Sequence, residues 1–179
     1  MEKPGGKKFT MSRGSPKSGA IVIYRAGDDA SFQQGWTILP NAANGRFKIQ
    51  TIGADEIVID RATGLMWARS LNQAGCNNNA LMTWDNAIDY ALALNFAGFA
   101  DWRIPNYKEL ASILFFSGTP NFPPVGIFTG APPHFEFWTS TTFTSFTGNA
   151  YYVDFAGGTI LNFTKTSTRY IRCVRGGFF

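Results

Sequence analysis

The stretch Asp101-Trp102-Arg103-Ile104-Pro105-Asn106-Tyr107-Lys108-Glu109-Leu110 fixes the middle of the chain. Asn106 followed three residues later by Glu109 is the pattern of a capping box, in which each side chain satisfies a free backbone N–H of the other residue at a helix start. Leu110, Ile113 and Leu114 give that short helix a buried stripe. Upstream, Thr83 stands as N-cap with Asp85 in the first turn, where the helix dipole favours negative charge. Trp84, Ala87, Ile88, Ala91, Leu92 and Leu94 then form one apolar face at helical spacing, and the helix is expected to stop near Asn95 to Gly98. Further upstream, Glu56–Asp60, Arg61-Ala62-Thr63-Gly64 and Leu65–Trp67 read as strand, tight turn, strand, with glycine supplying the backbone freedom of the turn. Residues Leu71 to Ala80, with three consecutive asparagines, read as loop. Ala20–Tyr24, Trp36–Leu39 and Arg46–Gln50 are weaker strand candidates, the last two set off by Pro40-Asn41 and Asn44-Gly45 turn signals.

Downstream of the Pro/Gly-rich stretch Gly118 to Pro133 the periodicity becomes two, over Phe135–Thr141, Ala150–Phe155, Thr159–Phe163 and Arg169–Val174. Ala156-Gly157-Gly158 reads as a hairpin turn. The expected class is therefore α+β, two helices packed on antiparallel strands, with no βαβ alternation and no fixed-period repeat.

Composition narrows the function. The chain has 179 residues, 16% of them charged, with seventeen Phe and nineteen Gly. It is long enough for one domain with a real core and too aromatic to be disordered throughout. The net charge of +4 is concentrated in the first twenty residues, where Lys3, Lys7, Lys8, Arg13 and Lys17 face only Glu2. The remaining 159 residues carry eleven basic and eleven acidic side chains. Residues 1–19 are read as a flexible basic tail and 20–179 as a single domain, and a neutral body lacks the basic face of a nucleic-acid binder. No run approaches the roughly 18 apolar residues of a membrane span, and no secretory h-region follows the first residues. Membrane insertion is not expected. Cys76 and Cys173 make no metal motif; they form either one bridge or two buried thiols, and the sequence leaves both open.

Catalytic chemistry is hard to find. The sole histidine, His134, has no cysteine or carboxylate at ligand spacing, and one histidine does not make a zinc site. No nucleophile-elbow, zinc-protease, Walker or dinucleotide pattern occurs. Asp28-Asp29 reads as a polar turn, and Asp85 with Asp89 as neighbours on a solvated helix face. The expectation is a protein without enzymatic activity, metal or cofactor.

Five blocks in order carry a resemblance. They are Val58-Ile59-Asp60-Arg61-Ala62-Thr63-Gly64-Leu65-Met66-Trp67, Thr83-Trp84-Asp85-Asn86-Ala87, the Asp101–Leu110 stretch, Phe137-Trp138-Thr139-Ser140-Thr141, and Tyr152-Val153-Asp154-Phe155 with Arg169-Tyr170-Ile171-Arg172-Cys173-Val174-Arg175-Gly176. Over roughly residues 55–177 the chain resembles the domain family typified by the C-terminal domain of the Legionella collagen-like adhesin. The resemblance implies a C-type-lectin-like fold with an irregular C-terminal display surface. It also implies scaffold roles for Trp67, Trp84, Trp102 and Trp138, and architectural ion pairs between Asp101 and Arg103 and between Asp154 and Arg172 or Arg175. The Glu-Pro-Asn, Gln-Pro-Asp and Trp-Asn-Asp words of calcium-dependent sugar-binding lectins are missing. Residues 137–179 hold one carboxylate, Asp154, whereas calcium takes six to eight oxygens.

The binding surface is expected on the C-terminal segments that interleave phenylalanine with small polar residues: Phe137, Thr139, Thr142, Phe143, Thr144, Phe146, Asn149, Tyr151, Leu161, Asn162, Phe163, Thr164 and Thr166. Such a surface sets rigid aromatic anchors beside adaptable hydrogen-bonding groups. The alternative is that Phe143, Phe146 and Phe163 tuck under their own loops. Retroelements that mutate adenines turn AAC codons into Phe, Ser, Thr, Tyr, Leu or Asn but never Lys, Glu, Gln, Met or Trp. Those five types number 24 in the whole chain, and residues 137–179 contain two of them, Trp138 and Lys165. The functional expectation is a receptor-binding display protein of a phage or viral tail, diversified by a retroelement. Its partner would be a protein or glycan on a target cell, at the virion or a cell surface, and self-association is compatible with this. The second reading is a secreted adhesin for polysaccharide or glycosaminoglycan, gripping sulfate or carboxylate through Lys165, Arg169, Arg172 and Arg175. An enzyme related to formylglycine-generating proteins would need a reactive cysteine pair that these contexts do not match.

Overall fold

A computed structural model describes residues 25–26, 45–115, 126–130 and 136–176. The strand expectations at Ala20–Tyr24 and Trp36–Leu39, and His134, lie outside the described residues. Among those described, the chain is α+β with two antiparallel sheets. The first contains β1 (Phe47–Ile52), β2 (Asp55–Asp60), β3 (Leu65–Ala68) and β7 (Val174–Gly176), in that spatial order. The second contains β4 (Glu136–Thr142), β5 (Asn149–Asp154) and β6 (Thr159–Thr164). Between them in sequence lie helices α1 (Trp84–Ala93) and α2 (Tyr107–Ala111).

The first sheet is the frame. β1 and β2 pair from Phe47 with Asp60 to Ile52 with Asp55, turning at Gly53, whose φ of 63° favours a residue without Cβ. Ile57, Val58, Leu65, Trp67 and Ala68 are buried. Arg46 and Asp60, both fully buried, form a two-pronged ion pair with Nε–Oδ1 at 2.9 Å and Nη2–Oδ2 at 2.6 Å. The Arg46 guanidinium also lies 4.6 Å from the Phe47 ring.

The capping box is present as expected: Asn106 Oδ1 accepts from the Glu109 amide at 2.9 Å, and Glu109 Oε2 accepts from the Asn106 amide at 2.8 Å. Thr83 occupies the N-cap position of α1, but its side chain makes no capping bond. In α1, Ala87 and Ala91 are buried while Leu92 is 67% exposed. At roughly 100° per residue Leu92 stands about 140° round the helix from Ala87, beyond the buried stripe. It is not part of the apolar face.

Three further expectations change. Residues Ala74–Asn79, expected as loop, form a 3-10 segment that ends in three left-handed asparagines, Asn77, Asn78 and Asn79. Residues 169–174 are not one strand but a stitch between the sheets. Arg169 bridges Met82, Tyr170 bridges Phe137 of β4, and Val174 bridges Arg103 and pairs with Trp67 of β3. The ion pairs are also redistributed. Asp101 pairs with Arg175 (2.6 Å) and Arg103 with Glu109 (2.7 Å), so Asp101 and Arg103 do not pair with each other. Asp154 Oδ1 instead accepts from the Ala156 amide in the β5–β6 turn, and Arg172 Nη1 donates to the Ala68 and Arg69 carbonyls at 2.6 Å each.

The tryptophans are structural. Trp67, Trp102 and Trp138 are buried and Trp84 is half-buried. The indole N–H of Trp84 donates to Thr139 O, that of Trp102 to Phe96 O, and that of Trp138 to Met82 O. These three rings thus bring large apolar area with their one polar atom satisfied, whereas the buried Trp67 N–H has no hydrogen-bond partner.

Candidate functional site

The second sheet grades from covered to open. β4 carries three consecutive buried residues, Phe137, Trp138 and Thr139, so both of its faces are covered there. β5 is buried at Ala150, Tyr152 and Val153. β6 has no buried residue, and Ile160, Leu161 and Phe163 are 39%, 44% and 49% exposed. It pairs with β5 from Asn149–Thr164 to Asp154–Thr159 and, among the described residues, with no other strand.

Alternation along a strand sends neighbouring side chains to opposite faces. Leu161 and Phe163 therefore share a face with their partners Tyr152 and Ala150, while Asn162 and Thr164 share the other with Tyr151 and Asn149. On the first face the Arg169 guanidinium lies 3.9 Å from the Tyr152 ring, 4.7 Å from Trp138 and 4.9 Å from Phe163, and its Nε is 3.4 Å from Glu136. The partly exposed Phe163 ring thus has a buried cation against it. Beside it, Lys165 Nζ sits 4.0 Å from the Trp84 ring centre and donates to Thr142 Oγ1 at 3.0 Å. On the second face Phe143, Tyr151 and Tyr107 form a row, with centroids 5.5 Å and 5.3 Å apart. Asn149 Nδ2 donates to Asn162 Oδ1 at 2.9 Å.

The β4–β5 connection closes tightly. Phe143 and Asn149 are joined by a 2.9 Å backbone bond, and the Phe146 amide donates back to Phe143 O. This projects Thr144, Ser145, Phe146 and Thr147 into solvent, with Phe146 65% exposed.

Of the residues expected to meet a ligand, Thr144, Phe146, Leu161, Phe163, Thr164 and Thr166 are exposed. Thr142, Phe143, Asn149, Tyr151 and Asn162 are half-buried. Phe137 and Thr139 are corrections: both are fully buried. Phe137 packs edge-on against Phe155, and the Thr139 hydroxyl donates to Tyr151 O. Neither can touch a ligand. The tucked alternative holds for Phe143, against Tyr151, and not for Phe146 or Phe163. Tyr107 and Trp84 also border the surface and were not expected there; both come from helices, and nothing near them in sequence marks them as neighbours of the second sheet.

The arginines of the glycan reading are also committed elsewhere. Arg169 is buried against its rings, Arg172 is buried on two carbonyls, and Arg175 is paired with Asp101. Burial pushes the Arg172 pKa down, while the nearby Cys76 and Cys173 sulfurs act in the opposite direction. Of that set, Lys165 and the buried Arg172 have no carboxylate within ion-pair distance among the described residues, and of these two Lys165 alone is part-exposed. Also among the described residues, no three His, Cys, Asp or Glu side chains converge on a metal position, and no helix is long and apolar enough to cross a membrane.

A comparison with curated proteins returns no match. The sequence profile of the Lcl C-terminal domain matches residues 56–175, two thirds of the chain, and spans every block from the β2–β3 hairpin to the stitch that ends in β7. By that match, the chain belongs to the Lcl C-terminal domain family.

Proposed function

We propose that the protein is a binding module that displays β6 and the β4–β5 loop to a receptor on a target cell. The observation that carries this is the outer strand Thr159–Thr164. It has no charged residue and no buried residue, yet it presents Ile160, Leu161 and Phe163 to solvent. A water-facing strand edge without charges is normally a liability that proteins blunt with lysine, proline or bulges. Exposed apolar residues grouped among hydroxyls are what a recognition surface uses. Family membership supports an adhesin-like binding role. The α+β layout with two antiparallel sheets is compatible with a C-type-lectin-like fold. A phage or viral tail protein diversified by a retroelement is the finer form of this reading, supported by the residue types of the two hairpin segments. Sequencing the flanking DNA tests it: a template repeat beside a reverse-transcriptase gene is expected, and their absence removes diversification.

The surface itself is tested by replacing Phe146, Leu161 and Phe163 together with alanine. Binding of the labelled chain to a panel of intact cells should fall at least tenfold, with the melting temperature moved by only a few degrees. Unchanged binding would overturn the assignment of this surface.

The second reading, an adhesin for an acidic glycan, draws on Lys165. Its ammonium already rests on Trp84 and Thr142 and lacks a carboxylate among the described residues. Titration with heparin separates the two readings. A charge-driven complex weakens steeply between low and high salt, whereas aromatic contacts hold.

A further inference from the structure

We propose that Cys76 and Cys173 are a disulfide-forming pair, reduced in the structure described above and closed by a small-molecule disulfide oxidant. The inference rests on the fold alone and is independent of the binding reading. The Cys173 amide donates to Gly75 O at 2.9 Å, so the two cysteines are separated by one hydrogen bond and one peptide unit. Both are fully buried and free, which keeps each sulfur from a second protein molecule and leaves the other cysteine as its thiol neighbour. The approach is fixed from both sides. A Cβ on Gly75 would lie 2.4 Å from Ala68 Cβ, so glycine lets this segment lie flat against β3. On the other side the Ala68 amide donates to Cys173 O at 3.0 Å.

The segment also carries strain that a covalent tie would hold. Asn77, Asn78 and Asn79 all have positive φ, near 50° to 60°, a conformation that asparagine tolerates better than most residues but that is rarely repeated three times. Backbone bonds from Cys76 N to Gln73 O (2.9 Å) and Asn78 N to Gln73 O (3.0 Å) close it, with side-chain bonds from Asn77 Nδ2 to Ala80 O and Tyr90 OH to Ala74 O. Burial raises the pKa of both thiols, that of Cys173 strongly, and the Arg172 guanidinium opposes the shift. At neutral pH both are therefore protonated in the closed fold, and exchange awaits local opening of Ala74–Asn79.

In the reaction, the Cys76 thiolate attacks one sulfur of the oxidant, forming a mixed disulfide and expelling one thiolate. The Cys173 sulfur then attacks Cys76 Sγ, closing the intramolecular bond and expelling the second. Two protons leave the cysteines, and two electrons reduce the oxidant to two thiols. The product ties the β3-side segment to the stitch between the sheets and closes a loop of roughly a hundred residues, long enough for a large effect on stability.

The test incubates the full chain with reduced or oxidised glutathione, quenches with acid, alkylates under denaturing conditions and maps peptides by mass spectrometry. Expected is a monomer with Cys76 and Cys173 peptides linked, and a melting temperature higher on the order of 10 °C than the reduced chain. Cys76→Ser should abolish the redox-dependent shift; the wild-type peptide map stands even if that variant folds poorly. Recovery of both cysteines alkylated or carrying glutathione, linkage only between chains, or a bond that lowers the melting temperature would each overturn the proposal.

Discussion

β2 and β6 are both six-residue strands, and their relation between charge and exposure is inverted. β2, Asp-Glu-Ile-Val-Ile-Asp, carries three carboxylates and lies within the frame; β6, Thr-Ile-Leu-Asn-Phe-Thr, carries none and faces water. The difference lies in partners. Asp60 is met by Arg46, Glu56 by Arg69, and the Asp55 carboxylate by the Ala97 amide. β6 has β5 on one side and, among the described residues, no strand on the other. Where every charge is answered internally, polarity belongs to the scaffold. Where apolar groups are left unanswered lies the surface proposed above to meet another molecule.

Breaking the frame should cost most. Asp60→Ala leaves the Arg46 guanidinium buried and unpaired, and stability should fall by about 3–5 kcal/mol in urea denaturation. If the loss is no larger than that of Phe163→Ala, the distinction between frame and surface fails. Gly75→Ala comes next. Its methyl meets Ala68 Cβ and Phe96, and the expected loss is about 1–3 kcal/mol, read from the same titration. A shift within error would mean that the segment yields easily.

The smallest effect tests a surface ion pair. The hydrogen bond from Arg175 holds the Asp101 carboxyl below its usual value of 3.8. A depressed folded-state pKa stabilises above the unfolded pKa, so the contribution is full above about pH 4 and fades as pH falls through the lower folded value. Because Asp101 is largely exposed, solvent screening limits it to about 0.2–1 kcal/mol. Asp101→Asn should therefore lower the melting temperature slightly at pH 6 and not at pH 2, and high salt should shrink the difference. An equal shift at both pH values would assign the effect to packing instead.

Local chemistry was legible in the sequence and long-range chemistry was not. The Asn106–Glu109 box, the turn before Leu65 and the β5–β6 hairpin are each decided by residues a few positions apart. The partner of Asp101 lies far along the chain at Arg175, beyond what spacing can reveal, and the nearer Arg103 was expected in its place. On the surface, alternation identifies inward and outward positions only where one face is covered. β4 is covered on both, which is why Phe137 and Thr139 looked available. Phe143 and Phe163 occupy similar Thr-rich surroundings in sequence; one rests against Tyr151 and the other stays partly open over Arg169.

The stitch has a consequence for how the fold is acquired. The sheet that starts at Phe47 is not complete until Val174–Gly176 is added beside β3, after β4, β5 and β6 have all been synthesised. Contacts so distant in sequence must first meet the entropy of closing the intervening loop, which slows folding relative to a helical bundle. Until then the β3 edge is an open template for other chains. Substitutions in β4 to β6 therefore fall in a segment that must pack before that edge is covered, and those that delay its packing should lower the yield of soluble protein.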